Sequence, residues 1–209
     1  MRGFGLPLAY AGTTMRRQFP TDAEPRWTLL PHARGEPAQP RVQDWLARAF
    51  GGEAGDYAFE RDAHGRPRLQ RDDGLDCNWS HSGASLLVAC GAGLRVGADL
   101  ESLRPRANAL ALARRYFAPA ETLWLASRLD QPGADMERDF LRLWCAKEAV
   151  LKAHGRGLAF GLHRLAFAER DGALHLHGCD AELGEPRDWS VREFVPVPGT
   201  LAALAWRHG

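Results

Sequence analysis

Lys147, Glu148 and Lys152 crowd into one short stretch, Trp144-Cys145-Ala146-Lys147-Glu148-Ala149-Val150-Leu151-Lys152. They include the only two lysines of the chain; every other basic side chain is arginine or histidine. Lysine differs from arginine in carrying a compact charge whose proton can be released. A second acidic group lies upstream in Val96-Gly97-Ala98-Asp99-Leu100-Glu101. Period two along a strand puts Asp99 and Glu101 on one face and Leu100 on the other. Two carboxylates at one spot repel unless a cation joins them. Their hard oxygens favour Mg²⁺, Mn²⁺ or Ca²⁺ over zinc. With Glu148 as a third carboxylate and two lysines beside it, the residue types describe a magnesium–pyrophosphate site.

These groups must be held by regular elements. Asp135 can cap a helix that runs from Met136 to His154 and that Gly155 is placed to end. At ~100° per residue, Phe140, Leu143, Trp144, Val150 and Leu151 gather on its apolar face. Lys147 falls inside that face, where an ammonium needs a partner or a ligand. The bland alternative for Glu148 and Lys152 is a solvated i,i+4 pair. Leu86–Cys90, the turn Gly91-Ala92-Gly93 and Leu94–Leu100 read as a β-hairpin. Shorter strands are expected at Trp27–Leu30, Tyr57–Arg61, Leu165–Ala168, Leu174–His177, Trp189–Val195 and Leu201–Trp206. Further helices are expected at Val42–Phe50, Leu110–Phe117 and Ala120–Leu129. Strands, then helices, then strands indicate an α+β fold rather than a doubly wound sheet.

Other motifs carry less. Ser80 and His81 adjoin in Trp79-Ser80-His81-Ser82, but neighbours on an extended segment point to opposite sides, so they do not make a nucleophile–base pair. Phosphate binding suits them better, against the alternative of a turn with local side-chain bonds. Gly91-Ala92-Gly93 lacks the third glycine of a dinucleotide loop and leads into a strand. His175 and His177 read as a surface pair with no third metal ligand.

Composition excludes several classes. The chain has 209 residues, with 27 Lys+Arg against 26 Asp+Glu, which argues against a dedicated nucleic-acid binder. Four scattered cysteines form no Cys-x-x-Cys, so a structural zinc site is not expected. Free thiols without a signal peptide fit a reducing cytoplasm. No apolar run approaches the ~20 residues that span a bilayer.

Read in order, the segments Gly65-Arg66-Pro67, Trp79-Ser80-His81-Ser82, Val96-Gly97-Ala98-Asp99-Leu100-Glu101, Arg115-Tyr116-Phe117, Trp144-x-x-Lys147-Glu148-Ala149-x-x-Lys152 and Gly155-Arg156-Gly157-Leu158 resemble the signature of the Sfp-type 4′-phosphopantetheinyl transferases. The resemblance implies a pseudo-dimer of two similar α/β halves, each a small antiparallel sheet packed on helices, divided as residues 1–98 and 99–209. It implies transfer of the phosphopantetheine arm of coenzyme A, with Mg²⁺, to a serine of an acyl or peptidyl carrier protein, releasing adenosine 3′,5′-bisphosphate. Asp99, Glu101 and Glu148 would hold the metal. Arg66, Pro67, Ser80 and His81 would contact the nucleotide, with Arg41 as a further basic contact. Lys147 and Lys152 would meet the pyrophosphate. Glu148 would serve as ligand or as the base for the serine proton, and Lys152 would neutralise the departing oxygen. The family's long form is a monomer. Ala98 departs from the usual Ile or Val. Two rivals remain at this point: a Mg²⁺-dependent pyrophosphohydrolase, which leaves Trp-Ser-His-Ser and Gly-Arg-Pro unexplained, and a non-catalytic module that binds coenzyme A or a carrier.

Overall fold

The computed structural model describes residues 23–209; the first 22 residues of the expected N-terminal half lie outside them. The chain runs through β1 (Arg26–Pro31), α1 (Ala38–Phe50), the short strands β2 (Phe59–Arg61) and β3 (Pro67–Leu69), β4 (Leu75–Ser82), β5 (Ser85–Ala92) and β6 (Leu94–Ser102). It continues through α2 (Ala109–Tyr116), α3 (Pro119–Arg128), α4 (Met136–His154), β7 (Leu165–Arg170), β8 (Ala173–Cys179), β9 (Ser190–Phe194) and β10 (Thr200–His208). Two three-stranded antiparallel sheets result, ordered β1-β5-β4 and β6-β10-β9. The architecture is α+β in two similar halves, as the resemblance implied. Residues 98 and 99 both lie within β6.

Alternation along the strands sorts the core into layers. Even-numbered β5 residues Leu86, Val88 and Cys90 pack with Val42 and Leu46 of α1. Odd-numbered Leu87 and Ala89 instead meet Leu94, Val96, Ala98 and Leu100 of β6 and Ala202 and Leu204 of β10. The other face of β10, through Leu201, Ala203 and Ala205, packs on α4. The order is therefore helix, sheet, sheet, helix, with β6 packed directly against α4. Among the described residues no helix is long and apolar enough to cross a membrane.

The expected hairpin of residues 86–100 does not form. β5 pairs with β4 and β1, while β6 crosses into the other sheet and pairs with β10. Local turn chemistry at residues 91–93 was compatible with either outcome. Equally long competing strands decided it: Leu75–Ser82, the preceding strand, pairs along β5, and the distant Thr200–His208 pairs along β6.

Polar side chains of β4 join the two sheets where backbone pairing stops. β6 is an edge strand, and its outward N–H groups need acceptors. The Val96 N–H donates to Asp76 Oδ2 (2.8 Å), Ala98 N–H to Asn78 Oδ1 (3.0 Å) and Ser102 N–H to Ser82 Oγ (2.9 Å). Residues 76, 78, 80 and 82 share one strand face, so Ser80 points into the same seam.

Candidate functional site

Helix α4 supplies half of the site. Asp135 Oδ1 accepts the Arg138 N–H at 2.9 Å, capping the start. Gly155, in the left-handed conformation at φ 101°, ends the helix by donating its N–H to Leu151 O. That backbone conformation costs a glycine little and other residues more. β6 supplies the other half, and Gly97 sets the spacing. A Cβ at Gly97 would lie 1.9 Å from the Ala149 carbonyl oxygen and 2.5 Å from the Ala153 nitrogen. Strand and helix therefore approach backbone to backbone, which brings Glu148 and Lys152 against Asp99 and Glu101.

Three side chains meet closely there. Lys152 Nζ donates to Asp99 Oδ1 at 2.6 Å, to Ser80 Oγ at 3.1 Å and to the Ala98 carbonyl at 3.2 Å. The Ser80 hydroxyl donates to the same Asp99 Oδ1 at 2.9 Å. Burial alone would lower the Lys152 pKa, but the Asp99 carboxylate outweighs it and the net shift is upward. The ammonium is therefore a firm positive charge at neutral pH. Glu148 is half-buried, and burial followed by the charges of Asp99 and Glu101 pushes its carboxyl up to about 7 against the pull of Lys152. Burial and Asp99 also raise Glu101, whose Oε2 takes a hydrogen bond from Arg106 Nη2 at 2.9 Å. The Asp99 charge thus acts on both glutamates, and the three carboxylates form one electrostatic cluster.

The cluster fits a hard divalent cation in two respects. Its donors are carboxylate oxygens, and Asp99 Oδ2 is buried without a hydrogen-bond partner, a costly state for a carboxylate oxygen unless something positive meets it. As the side chains stand, no three Asp, Glu, His or Cys residues among those described converge tightly enough to hold an ion. Asp99 Oδ1 and Glu101 Oε2 are instead engaged by Lys152 and Arg106.

A cavity of about 280 Å³ opens beside this cluster, lined by Arg61, His64, Arg66, Pro67, Trp79 and Lys152 among others; the Arg66 side chain borders it while 3% exposed. Pro67 and Lys152 thus share one concave surface. His81 is exposed on the opposite face of β4, with its ring centroid 4.7 Å from that of buried His32. Arg41 is exposed on the first turn of α1, and its guanidinium pairs with Glu36 at 2.8 Å.

The sequence of the 4′-phosphopantetheinyl transferase superfamily matches this chain over residues 95–202, just over half its length. The chain belongs to that superfamily. The matched span begins in β6 and contains Asp99, Glu101, Glu148 and Lys152. Relatives within the transferase superfamily include 4′-phosphopantetheinyl transferase HetI of Nostoc sp., 35% identical over 163 residues, which are 77% of this chain and 65% of that protein. Another is 4′-phosphopantetheinyl transferase psf-1 of Bacillus pumilus, 36% identical over 104 residues, 50% of this chain and 42% of that one. 4′-Phosphopantetheinyl transferase Sfp of Bacillus subtilis is 27% identical over 170 residues, 80% of this chain and 70% of that one. The chain thus spans less than two thirds of the length of the first two of these superfamily members.

One expected contact is corrected by the geometry, and a second is engaged elsewhere. Lys147 does not face the cleft. Its side chain is fully buried, and its ammonium donates to Glu121 Oε2 at 2.7 Å, to the Leu162 carbonyl at 2.9 Å and to the Leu165 carbonyl. The apolar face of α4 carries an ammonium because α3 brings a carboxylate to it. Burial lowers the Lys147 pKa to about 8 against the upward pull of Glu121. Arg66 is also buried, and its guanidinium forms a forked ion pair with Asp76. Sequence reading missed Glu121, Asp76, Arg106 and Gly97. Of these only Gly97 left a local signal, a glycine inside a strand pattern.

Proposed function

We propose that the chain is a 4′-phosphopantetheinyl transferase that moves the phosphopantetheine arm of coenzyme A to a serine of an acyl or peptidyl carrier protein. The observation that carries this reading is the Lys152–Asp99–Ser80 triangle, with an unpartnered Asp99 oxygen and a Glu148 carboxyl near pKa 7 beside it. Within it we assign Asp99, Glu101 and Glu148 to Mg²⁺, which Mn²⁺ can replace. When bound, the ion supplies neutralising charge to the diphosphate. Pro67, Ser80 and His81 are assigned to the nucleotide and its phosphates, with Arg41 as a peripheral contact. The division into halves is proposed at residues 98 and 99, with the substrate held along the seam.

The chemistry follows from charge and position. The carrier serine oxygen attacks the β-phosphorus, and the bond from that phosphorus to the bridging oxygen breaks. Adenosine 3′,5′-bisphosphate leaves with the electron pair. The Lys152 ammonium, held by Asp99 and Ser80, neutralises the departing oxygen. Glu148 has one of two roles, ligand to the ion or acceptor of the serine proton; its carboxyl, near pKa 7 without an ion, suits the second only where the ion is held by Asp99 and Glu101. The buried free thiols of Cys77, Cys90 and Cys145 accord with a reducing cytoplasm, and two halves paired in one chain accord with a monomer.

The test is coenzyme-A-dependent mass gain of a panel of purified carrier domains, with and without EDTA. Transfer that EDTA abolishes supports the proposal. Cleavage of coenzyme A without any carrier would indicate the pyrophosphohydrolase instead, and binding without either reaction would indicate the non-catalytic module.

A further inference from the structure

Arg66 stands in a motif read as a substrate contact, yet its guanidinium has nothing left to offer a substrate. Arginine carries five N–H donors. Nε donates to the Lys152 carbonyl at 2.7 Å, Nη1 to Asp76 Oδ1 at 2.9 Å and to the Pro67 carbonyl at 3.4 Å. Nη2 donates to Asp76 Oδ2 at 2.6 Å and to the Val96 carbonyl at 2.8 Å. The side chain is 3% exposed. A phosphate could reach it only by breaking bonds that are already made and dry.

Those acceptors have a pattern. The Lys152 carbonyl lies in the last turn of α4, where main-chain oxygens have no intrahelical donor and where the helix dipole favours a cation. The Val96 carbonyl belongs to β6, three residues before Asp99. Asp76, the charge partner of Arg66, accepts the Val96 N–H as well. One buried ion pair, between the residue just before β3 and Asp76 of β4, therefore grips both elements that carry the Lys152–Asp99 contact.

We propose that Arg66 is a positioning residue that fixes the Lys152 ammonium over Asp99 by holding the α4 terminus and β6 together from the N-terminal half, and that its side chain contacts no substrate. The catalytic consequence rests on the reading of Lys152 given under Proposed function; the positional claim does not. Removing the guanidinium frees the Lys152 carbonyl and loosens the last turn of α4 relative to β6. Lys152 then samples positions away from Asp99. Binding of coenzyme A changes little, because no bond to it is lost, whereas the transfer step suffers.

The lysine content of this chain makes the test residue-specific. Protein labelled with ¹³C-lysine shows two side-chain environments, Lys152 at the seam and Lys147 in the C-terminal core. Arg66→Met/Asp76→Asn removes both charges while the Asn carbonyl can still accept the Val96 N–H. Arg66→Gln is the second variant, keeping an amide donor without the charge or the fork and adding no lysine. We expect the Lys152 ε-methylene signal to move toward that of free lysine in both variants while the Lys147 signal stays, which reports an intact core. Transfer kcat should fall about 10- to 100-fold with KM for coenzyme A within about twofold. An unmoved Lys152 signal in a folded variant overturns the proposal, as does a rise of about tenfold in KM for coenzyme A with kcat intact. Loss of the Lys147 signal in both variants also overturns it, since Arg66 would then be a global structural residue. If the wild-type protein transfers nothing, the functional reading fails while the lysine signals still decide the positional claim.

Discussion

Replacing Lys147 with Met should unfold the protein more readily without touching the chemistry. The wild-type ammonium spends its three protons on Glu121 and two backbone carbonyls, in a site with no solvent exposure. Glu121 in turn accepts the Ala118 N–H at 2.9 Å and the Phe167 N–H at 2.8 Å, so it ties α3, α4 and β7 together. Met fills similar space but leaves Glu121 as a buried carboxylate without a counter-charge, and two carbonyls without a donor. Breaking a buried pair from one side costs about 3–5 kcal/mol. At ~2–4 °C per kcal/mol for a chain of this size, the melting temperature should fall by about 6–20 °C. Glu121→Gln/Lys147→Met should recover at least half of that loss, because Gln keeps an acceptor for Phe167 without the charge. Circular dichroism melts and urea titrations give the stabilities, and carrier labelling well below the melting point gives the kinetics. A loss under about 1 kcal/mol would refute the buried-pair reasoning. So would a folded variant with an intact melting point and a KM for coenzyme A raised about tenfold, the behaviour of a lost phosphate contact.

Three further outcomes follow from the same coordinates. The Lys147 pKa is about 8 in the folded protein against 10.5 for a free side chain, so between those values only the unfolded chain holds the proton and stability rises with pH; the stability difference between wild type and Lys147→Met should widen in favour of wild type across that window in urea titrations. Glu148→Gln should stabilise the protein at pH 8 by about 1–3 kcal/mol, because the folded carboxyl at about 7 gives up its proton less readily than the unfolded one; carrier labelling should fall by at least about 100-fold. Gly97→Ala forces a methyl group into the Ala149 carbonyl and should cost about 3 kcal/mol or more, read as a lowered urea midpoint, whereas Ala98→Val on the opposite face should cost less.

Some of this protein was written in local sequence, and some was not. The bounds of α4 were legible because capping is short-range: Asp135 and Gly155 act on the adjacent turns. The common face of Asp99 and Glu101 was legible because strand alternation is a property of the backbone itself. The α+β class followed from the order of such elements. Lys147 and Lys152 could not be told apart by the same means. Both sit on one helix, and periodicity assigns each a face without saying what that face meets. Glu121 from α3 turned one into a core ion pair, and Asp99 with Ser80 drew the other into the seam. The partners of Arg66 were illegible for the same reason, since Asp76, Val96 and Lys152 reach it only once the halves close. The supposed hairpin at residues 86–100 failed likewise, because a turn permits pairing but the available partner strands decide it. Short-range rules therefore determined the helix ends and the strand faces, while the tertiary fold alone decided which charge met which, because the free energy of a charge depends on neighbours that arrive from distant parts of the chain.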